Sequence, residues 1–259
     1  MRLALGIEYN GSRFFGWQIQ LQDRRTVQQE LERALSKIAN EPIRVICAGR
    51  TDTGVHATQQ VVHFETQAVR LEQAWVLGVN AQLPSDVACL WSSAVTDDFS
   101  ARFSATARQY RYIIFNRLAR PALFDQRLHW RHGAIDHVAM HDAAQVLTGA
   151  HDFSAFRSSI CQAAHARRSI HFINISRQDD YIYLDIAANA FLHHMVRNIV
   201  GSLLMVGTGE KPGDWIAELL AGGDRSKAGP TAPAQGLYLV KVTYPDSHGL
   251  PQQILYPRM

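Results

Sequence analysis

Apolar residues recur along this chain at two spacings, every second position and every third to fourth, and the two divide it into strands and helices. Leu3, Leu5, Ile7 and Tyr9 alternate through Arg2–Tyr9, a strand that Asn10-Gly11-Ser12 closes as a turn. Val27, Leu31, Leu35 and Ile38 follow Thr26 and Gln29, a capping-box pair, and predict a helix to Ala39. Strands are expected at 43–48, at 59–65, where Val61 and His63 oppose Val62 and Phe64, and at Val87–Val95. A helix at 71–80 stops before Pro84. The order βαββαβ is that of a split βαβ, or ferredoxin-like, unit.

The second half repeats the order loosely. It reads as a strand at 110–115, a helix at 136–147, and strands at 170–176 and 181–186 turning at Asp179-Asp180. A strongly apolar helix at 192–206, a shorter one at 215–220 and a closing strand at 237–244 complete it. The expected fold is therefore α+β: two ferredoxin-like halves, 1–99 and 100–245, with mixed, mainly antiparallel sheets around a central cleft, and a tail at 246–259 without pattern.

With 259 residues, 47% hydrophobic and 19% charged, the chain has the composition of a globular protein with a full core. Cys47, Cys89 and Cys161 are isolated and odd in number, which speaks against a disulfide framework or a zinc cluster. No leader-like or long apolar segment appears, which points to the cytoplasm and away from a membrane. Net charge is only +3, but 22 of the 26 basic residues are arginine, and they cluster. Seven lie between Phe99 and His132 against the single acid Asp125, and four lie between Ser154 and Gln178 with no acid. Local arginine excess suits a phosphate backbone; a genome-wide preference for Arg over Lys would give the same ratio without clustering.

Candidate chemistry centres on residues 48–57, Ala-Gly-Arg-Thr-Asp-Thr-Gly-Val-His-Ala, a polar loop between apolar strands. Asp52 is a candidate nucleophile or base, and Arg50 beside it would favour the ionised form. Asp-x-Gly is equally an ordinary turn signal. Asp-Thr-Gly is also the local pattern of aspartic proteases, but those pair two aspartates around one proton and only one copy occurs here. Arg13-Phe14-Phe15-Gly16-Trp17 could stack bases or pack a core. Tyr110, in Arg108-Gln109-Tyr110-Arg111-Tyr112, suits base stacking and proton exchange, or cross-strand packing. Arg197 interrupts the apolar stretch Phe191 to Gly201; it needs an anion if buried, Asp52 being a candidate, or a surface position if not. His137 and His141 have the i, i+4 spacing of a zinc pair, but Val138 replaces the required glutamate. His193 and His194, adjacent on the expected helix, should diverge by about a hundred degrees and share no metal.

These motifs together resemble the tRNA pseudouridine synthase A family over nearly the whole chain. The resemblance is carried by Gly6 to Gly11 with Phe15-Gly16-Trp17-Gln18, by residues 48–57, by Arg102-Phe103-Ser104-Ala105-Thr106-Ala107-Arg108 with Tyr110-Arg111-Tyr112, by Asp152 to Phe156, by the Phe191 to Gly201 stretch and by Gly236-Leu237-Tyr238-Leu239. It implies isomerisation of uridine to pseudouridine at tRNA positions 38, 39 and 40 in the anticodon stem-loop, by base flipping and without cofactor or metal. It further implies Asp52 as catalytic nucleophile, Tyr110 as the tyrosine stacked on the target base, Arg50 as the loop arginine that enters the RNA, and Arg197 as the arginine paired with the aspartate. The family also implies a homodimer whose subunits share each tRNA. Asn10, Ile19 and Thr53 stand where the family more often has Asp, Arg and Ala. The competing reading from the residues alone is a non-enzymatic RNA-binding module of paired recognition domains, in which the Arg50 to Asp52 loop would be idle.

Overall fold

The computed structural model describes residues 1–20 and 24–257. The chain is α+β and forms two compact units, one from Met1–Ala107 with the segment from Tyr238 onward, the other from Arg108–Leu237. The division falls at 107/108 and 237/238, not at the expected 99/100 and 245/246.

The first unit opens with β1 (Arg2–Tyr9), followed by α1 (Val27–Ala39), β2 (Ile46–Cys47), β3 (His56–Glu65), α2 (Glu72–Asn80) and β4 (Val87–Val95). Strand β1 lies between β4 and β3, antiparallel to both, and β2 pairs antiparallel with β3. Thr26 caps α1 by accepting the Gln29 amide at 3.3 Å, and Asn40 ends it in the left-handed region at φ 58°. Strand β2 is much shorter than the expected 43–48. The amides of Ile43 and Val45 go to the Ser36 hydroxyl at 2.9 Å and the Glu32 carboxylate at 3.0 Å, so side chains of α1 take donors that a ladder would use. Strand β3 starts earlier than expected because His56 and Ala57 are paired with the closing strand described below.

The second unit contains β5 (Ala107–Asn116, entered from the first unit), β6 (His129–Arg131), α3 (His137–Ala144), β7 (Gly149–Asp152), β8 (Arg167–Gln178), β9 (Tyr181–Ala188), α4 (Met195–Gly207) and α5 (Trp215–Gly222). Strands run in the order β5-β9-β8-β7, each pair antiparallel, with β6 parallel along the end of β5. Asp136 caps α3 by accepting the Val138 and Ala139 amides at 3.0 and 2.9 Å. Beyond Ala144 the expected helix tightens to a single 3-10 turn, Gln145–Leu147. The expected helix at 192–206 begins only at Met195, because His194 sits at φ 62°. The two imidazoles therefore do not diverge along a helix: His193 and His194 stack at 3.9 Å and 27°.

The chain then returns to the first unit as β10 (Leu237–Thr243), with Tyr238 and Leu239 parallel to His56 and Ala57 of β3. This return carries the following residues with it. Thr58 donates to the Leu255 carbonyl, Gln59 to that of Pro251 at 3.4 Å, and Leu250 is buried. The expected tail is thus tied to β3 at Pro251 and Leu255; its residues 258 and 259 lie outside the described residues. No described helix is long and apolar enough to cross a membrane.

Candidate functional site

The Asp52 loop is built from the two ends of the strands it joins. Ala48 donates to Val61 at 2.8 Å, the buried Gln60 side chain donates to the Gly49 carbonyl at 2.6 Å, and Val55 closes a turn onto the Asp52 carbonyl at 3.1 Å. Gly54 takes φ 79°, the left-handed value that Asp-x-Gly anticipates. Asp52 is half-buried, while Arg50 and Thr53 are exposed.

The turn after β1 forms a wall against this loop. Trp17 donates its amide to the Thr51 carbonyl at 3.0 Å, and the Tyr9 and Thr51 hydroxyls share a hydrogen bond of 2.7 Å. A Cβ on Gly11 would lie 2.0 Å from the Val55 carbonyl oxygen, and one on Gly16 (φ 85°) would lie 2.9 Å from that of Thr51. Only glycine permits both approaches. The Gly11 amide donates to His56 Nδ1 at 2.9 Å, so that nitrogen is an unprotonated acceptor, and the imidazole stacks on Tyr238 at 4.5 Å. Asp52 thereby follows a residue, Thr51, whose carbonyl and hydroxyl are both bonded to buried groups, and its own carbonyl closes the turn on Val55, which holds its backbone in one place.

Of the aromatic run beside it, Phe14 and Trp17 are core residues and Phe15 is exposed. Arg25 lies 4.2 Å over Phe14 and forks onto Asp86 with two bonds of 2.8 Å, and Arg24 lies 4.8 Å over Phe15. Cys47 is no nucleophile: burial pushes its thiol up to about 12, against the opposing pull of Arg50 and then Arg102.

Tyr110 and Arg197 belong to the second unit. Tyr110 is buried on β5, opposite Ile186 of β9, with its ring edge-to-face on Phe191 at 5.2 Å and 89°. Its neighbours on β5 are engaged within the same unit. Arg111 forks onto Asp185 at 2.8 and 2.7 Å with its guanidinium 4.6 Å over Tyr183, while Arg108 donates to the Asn189 carbonyl at 3.0 Å. Tyr112 is fully buried and donates to the Pro233 carbonyl at 2.8 Å; burial raises its phenol pKa well above the ordinary value, with the Arg197 charge opposing.

Arg197 is half-buried on α4 and is tied at both ends to one segment: Nε donates to the Ala232 carbonyl at 2.8 Å and its own carbonyl accepts the Ala232 amide at 3.1 Å. The next residue does more positional work than the sequence suggests. Asn198, almost wholly buried, donates to the Phe156 carbonyl at 2.8 Å and accepts from Thr231 and Arg225 at 2.7 and 3.1 Å. One turn on, a Cβ at Gly201 would lie 1.7 Å from the Pro230 oxygen, and Ser202 accepts the Gly229 amide at 3.0 Å. Asn198, Gly201, Gly11 and Gly16 have no individual role in the reading from sequence. An amide and a glycine inside an apolar helical stretch were the available signals for the first two.

A family model described as tRNA pseudouridine synthase matches residues 6–104 and 143–245. A protein of Shewanella amazonensis named tRNA pseudouridine synthase A is 60% identical over 257 residues, covering 99% of this chain and 98% of its own. Proteins of the same name from Shewanella piezotolerans and Actinobacillus pleuropneumoniae are 58% and 57% identical over the same length and the same shares of the two chains.

Proposed function

This chain belongs to the tRNA pseudouridine synthase family, and from that premise we propose that it acts in the anticodon stem-loop, flipping the target base and using Asp52 as nucleophile. Membership makes it an isomerase that converts uridine in tRNA to pseudouridine. The match of the family model across both units, together with relatives aligned over the whole chain, is the observation that carries the reading.

The reaction detaches the base at N1 and rejoins it to the ribose through C5, so a carboxylate must act at the sugar–base junction and a proton must leave C5. Asp52 takes the first task, either at C1′ of the sugar or at C6 of the ring. Its support is a half-buried position in a loop braced by Gly11, Gly16 and Trp17. We assign Tyr110 to the flipped base, which needs an aromatic replacement for lost stacking, and to relay of the C5 proton. Exposed Arg50 enters the RNA, and Arg197 is assigned to substrate binding. We also read the first unit as a ferredoxin-like half, from its order β4-β1-β3-β2 with two helices, and expect a like arrangement in the second. The working form is a cytoplasmic homodimer whose subunits share each tRNA.

Tritium release from transcripts carrying 5-tritiated uridine in the anticodon arm tests the assignment. The wild-type protein should release label, and Asp52→Ala should fall to background while binding tRNA within a few-fold of wild type, since arginine–phosphate contacts supply most of the affinity. Turnover retained by Asp52→Ala would remove the nucleophile from the scheme.

A further inference from the structure

Residues 96–104 of the first unit form a loop whose anchors are internal and whose tip is not. The Arg2 guanidinium donates to the carbonyls of Asp97 and, at 2.7 Å, Phe99. The Phe99 ring is fully buried among His63, Tyr244 and His248, at 5.9, 5.2 and 5.0 Å. Ala101, also fully buried, donates its amide to His63 Nδ1 at 3.0 Å and accepts the Tyr244 hydroxyl at 2.7 Å. Ser100 and Ser104 close the loop on itself: the Ser104 amide donates to the Ser100 carbonyl and the Ser100 amide to the Ser104 hydroxyl, both at 2.9 Å.

On this clamped frame Phe103 is 80% exposed, the most exposed aromatic side chain among the described residues. Its own amide is held by the Ser100 hydroxyl at 3.3 Å, and the Arg102 guanidinium lies 5.1 Å from the ring centroid. A large apolar ring kept in water by a rigid backbone forgoes burial that a mobile loop could recover by folding inward. Asp97 and Asp98 lie at the start of the loop, and its tip is basic: from Phe99 to Arg108 no acid stands against Arg102 and Arg108. The charges of Arg50 and Arg102 both act on the buried Cys47.

We propose that Phe103, with Arg102 over its ring, is a stacking platform for one unpaired base of the tRNA substrate other than the target uridine. The inference rests on tRNA being the substrate. An aromatic ring beside a guanidinium offers a π-face to the base and a fork to its phosphate, a combination suited to unstacked bases of single-stranded loops and tolerant of their sequence. A protein partner would more naturally meet an apolar surface extended around Phe103, whereas its chain neighbours are arginine, serines and alanines.

The test compares wild type, Phe103→Ala, Phe103→Leu, Phe103→Tyr, Phe103→Trp and Arg102→Ala, using full-length protein and an unmodified tRNA transcript. Phe103→Ala should raise Kd and KM on the order of tenfold with kcat changed less than about threefold, and with melting and the salt slope of binding unaltered. Phe103→Tyr and Phe103→Trp should restore affinity, and the introduced indole should change its emission when tRNA is added. Phe103→Leu should remain weak, because shape and apolarity without a π-face do not stack. Arg102→Ala should weaken binding and also flatten the salt dependence. Unchanged Kd and KM in Phe103→Ala, rescue by leucine as full as by tyrosine, or a shift in the sedimentation of the free protein on Phe103→Ala would each overturn the platform. The last would mark a contact between copies. Wild-type protein that binds no tRNA overturns the substrate reading as well; binding and turnover intact in every variant overturns the platform alone.

Discussion

His129 shows how much one buried titratable group sets without taking part in chemistry. It opens β6 with its ring edge-to-face on Tyr112 at 5.9 Å, and its Nδ1 has no hydrogen-bond partner among the described residues. Burial first, and the charge of Arg131 second, lower its pKa from 6.5 to about 4. The unfolded chain therefore binds a proton that the folded chain refuses, so stability falls as pH is lowered from about 6.5 towards 4, and is unaffected by this group above that window. The full effect is on the order of 3 kcal/mol. His129→Phe should keep the edge contact, match wild type within about 1 kcal/mol at pH 7.5, and lose much less stability at pH 5. Urea midpoints of the two proteins at both pH values measure this, and an acid loss equal in both would assign it elsewhere, His63 being another histidine held low by burial. Asp52 belongs to the same scale with the opposite visibility. Its motif is evident in eight or ten consecutive letters of sequence, but the glycines that brace it are recognisable only when the Val55 and Thr51 carbonyls are seen against them.

At the scale of elements, α4 is the informative case. Its apolar content predicts a buried helix, and all but Arg197 and Met205 of Met195–Gly207 are buried. What periodicity could not show is that one face of it approaches backbone instead of side chains. At Gly201 an added methyl meets the Pro230 carbonyl at 1.7 Å, which must be displaced together with the neighbouring Ala232 that holds Arg197. Gly207 on the same helix meets Met140 Sδ and Cγ at 2.6 and 2.7 Å and Ile135 Cγ2 at 3.1 Å, side-chain atoms that shift more readily than a backbone carbonyl. Gly201→Ala should thus cost about 1–3 kcal/mol in denaturant unfolding despite the better helix former, and should depress tritium release. Gly207→Ala should stay within about 1 kcal/mol and near wild-type turnover. Equal stabilities for the two variants would contradict the backbone contact at Pro230. The shortened β2 teaches the same lesson: 43–48 has the alternation of a strand, but Glu32 and Ser36 of α1 bond two of its amides first. Competition of that kind is invisible to a pattern of apolar letters.

Over the whole molecule, charge is the property most easily misread from composition. Arg111 belongs to the cluster between Phe99 and His132, yet it is forked onto Asp185 and covered by Tyr183. Arg111→Ala should lower the melting temperature, leaving a partly buried carboxylate without its fork, and leave the salt slope of tRNA binding unchanged. Arg50→Ala, at an exposed position, should leave melting unchanged and reduce that slope by about one ion. Titrations at several salt concentrations separate the two, and a slope altered by Arg111→Ala would place that residue on the RNA. The sequence by itself determined the strand and helix periods, the cap at Thr26, the turn at Gly54 and the motifs that identify the family. Each of these rests on interactions within a few residues. Tertiary structure alone decided that β10 returns to pair with β3, that the following residues pack on Thr58 and Gln59, that Glu32 and Ser36 cut β2 short, and that His193 and His194 stack ahead of a helix that starts late. Those outcomes depend on partners up to 197 positions apart, and no local spacing encodes which distant carbonyl or hydroxyl will be the one that arrives.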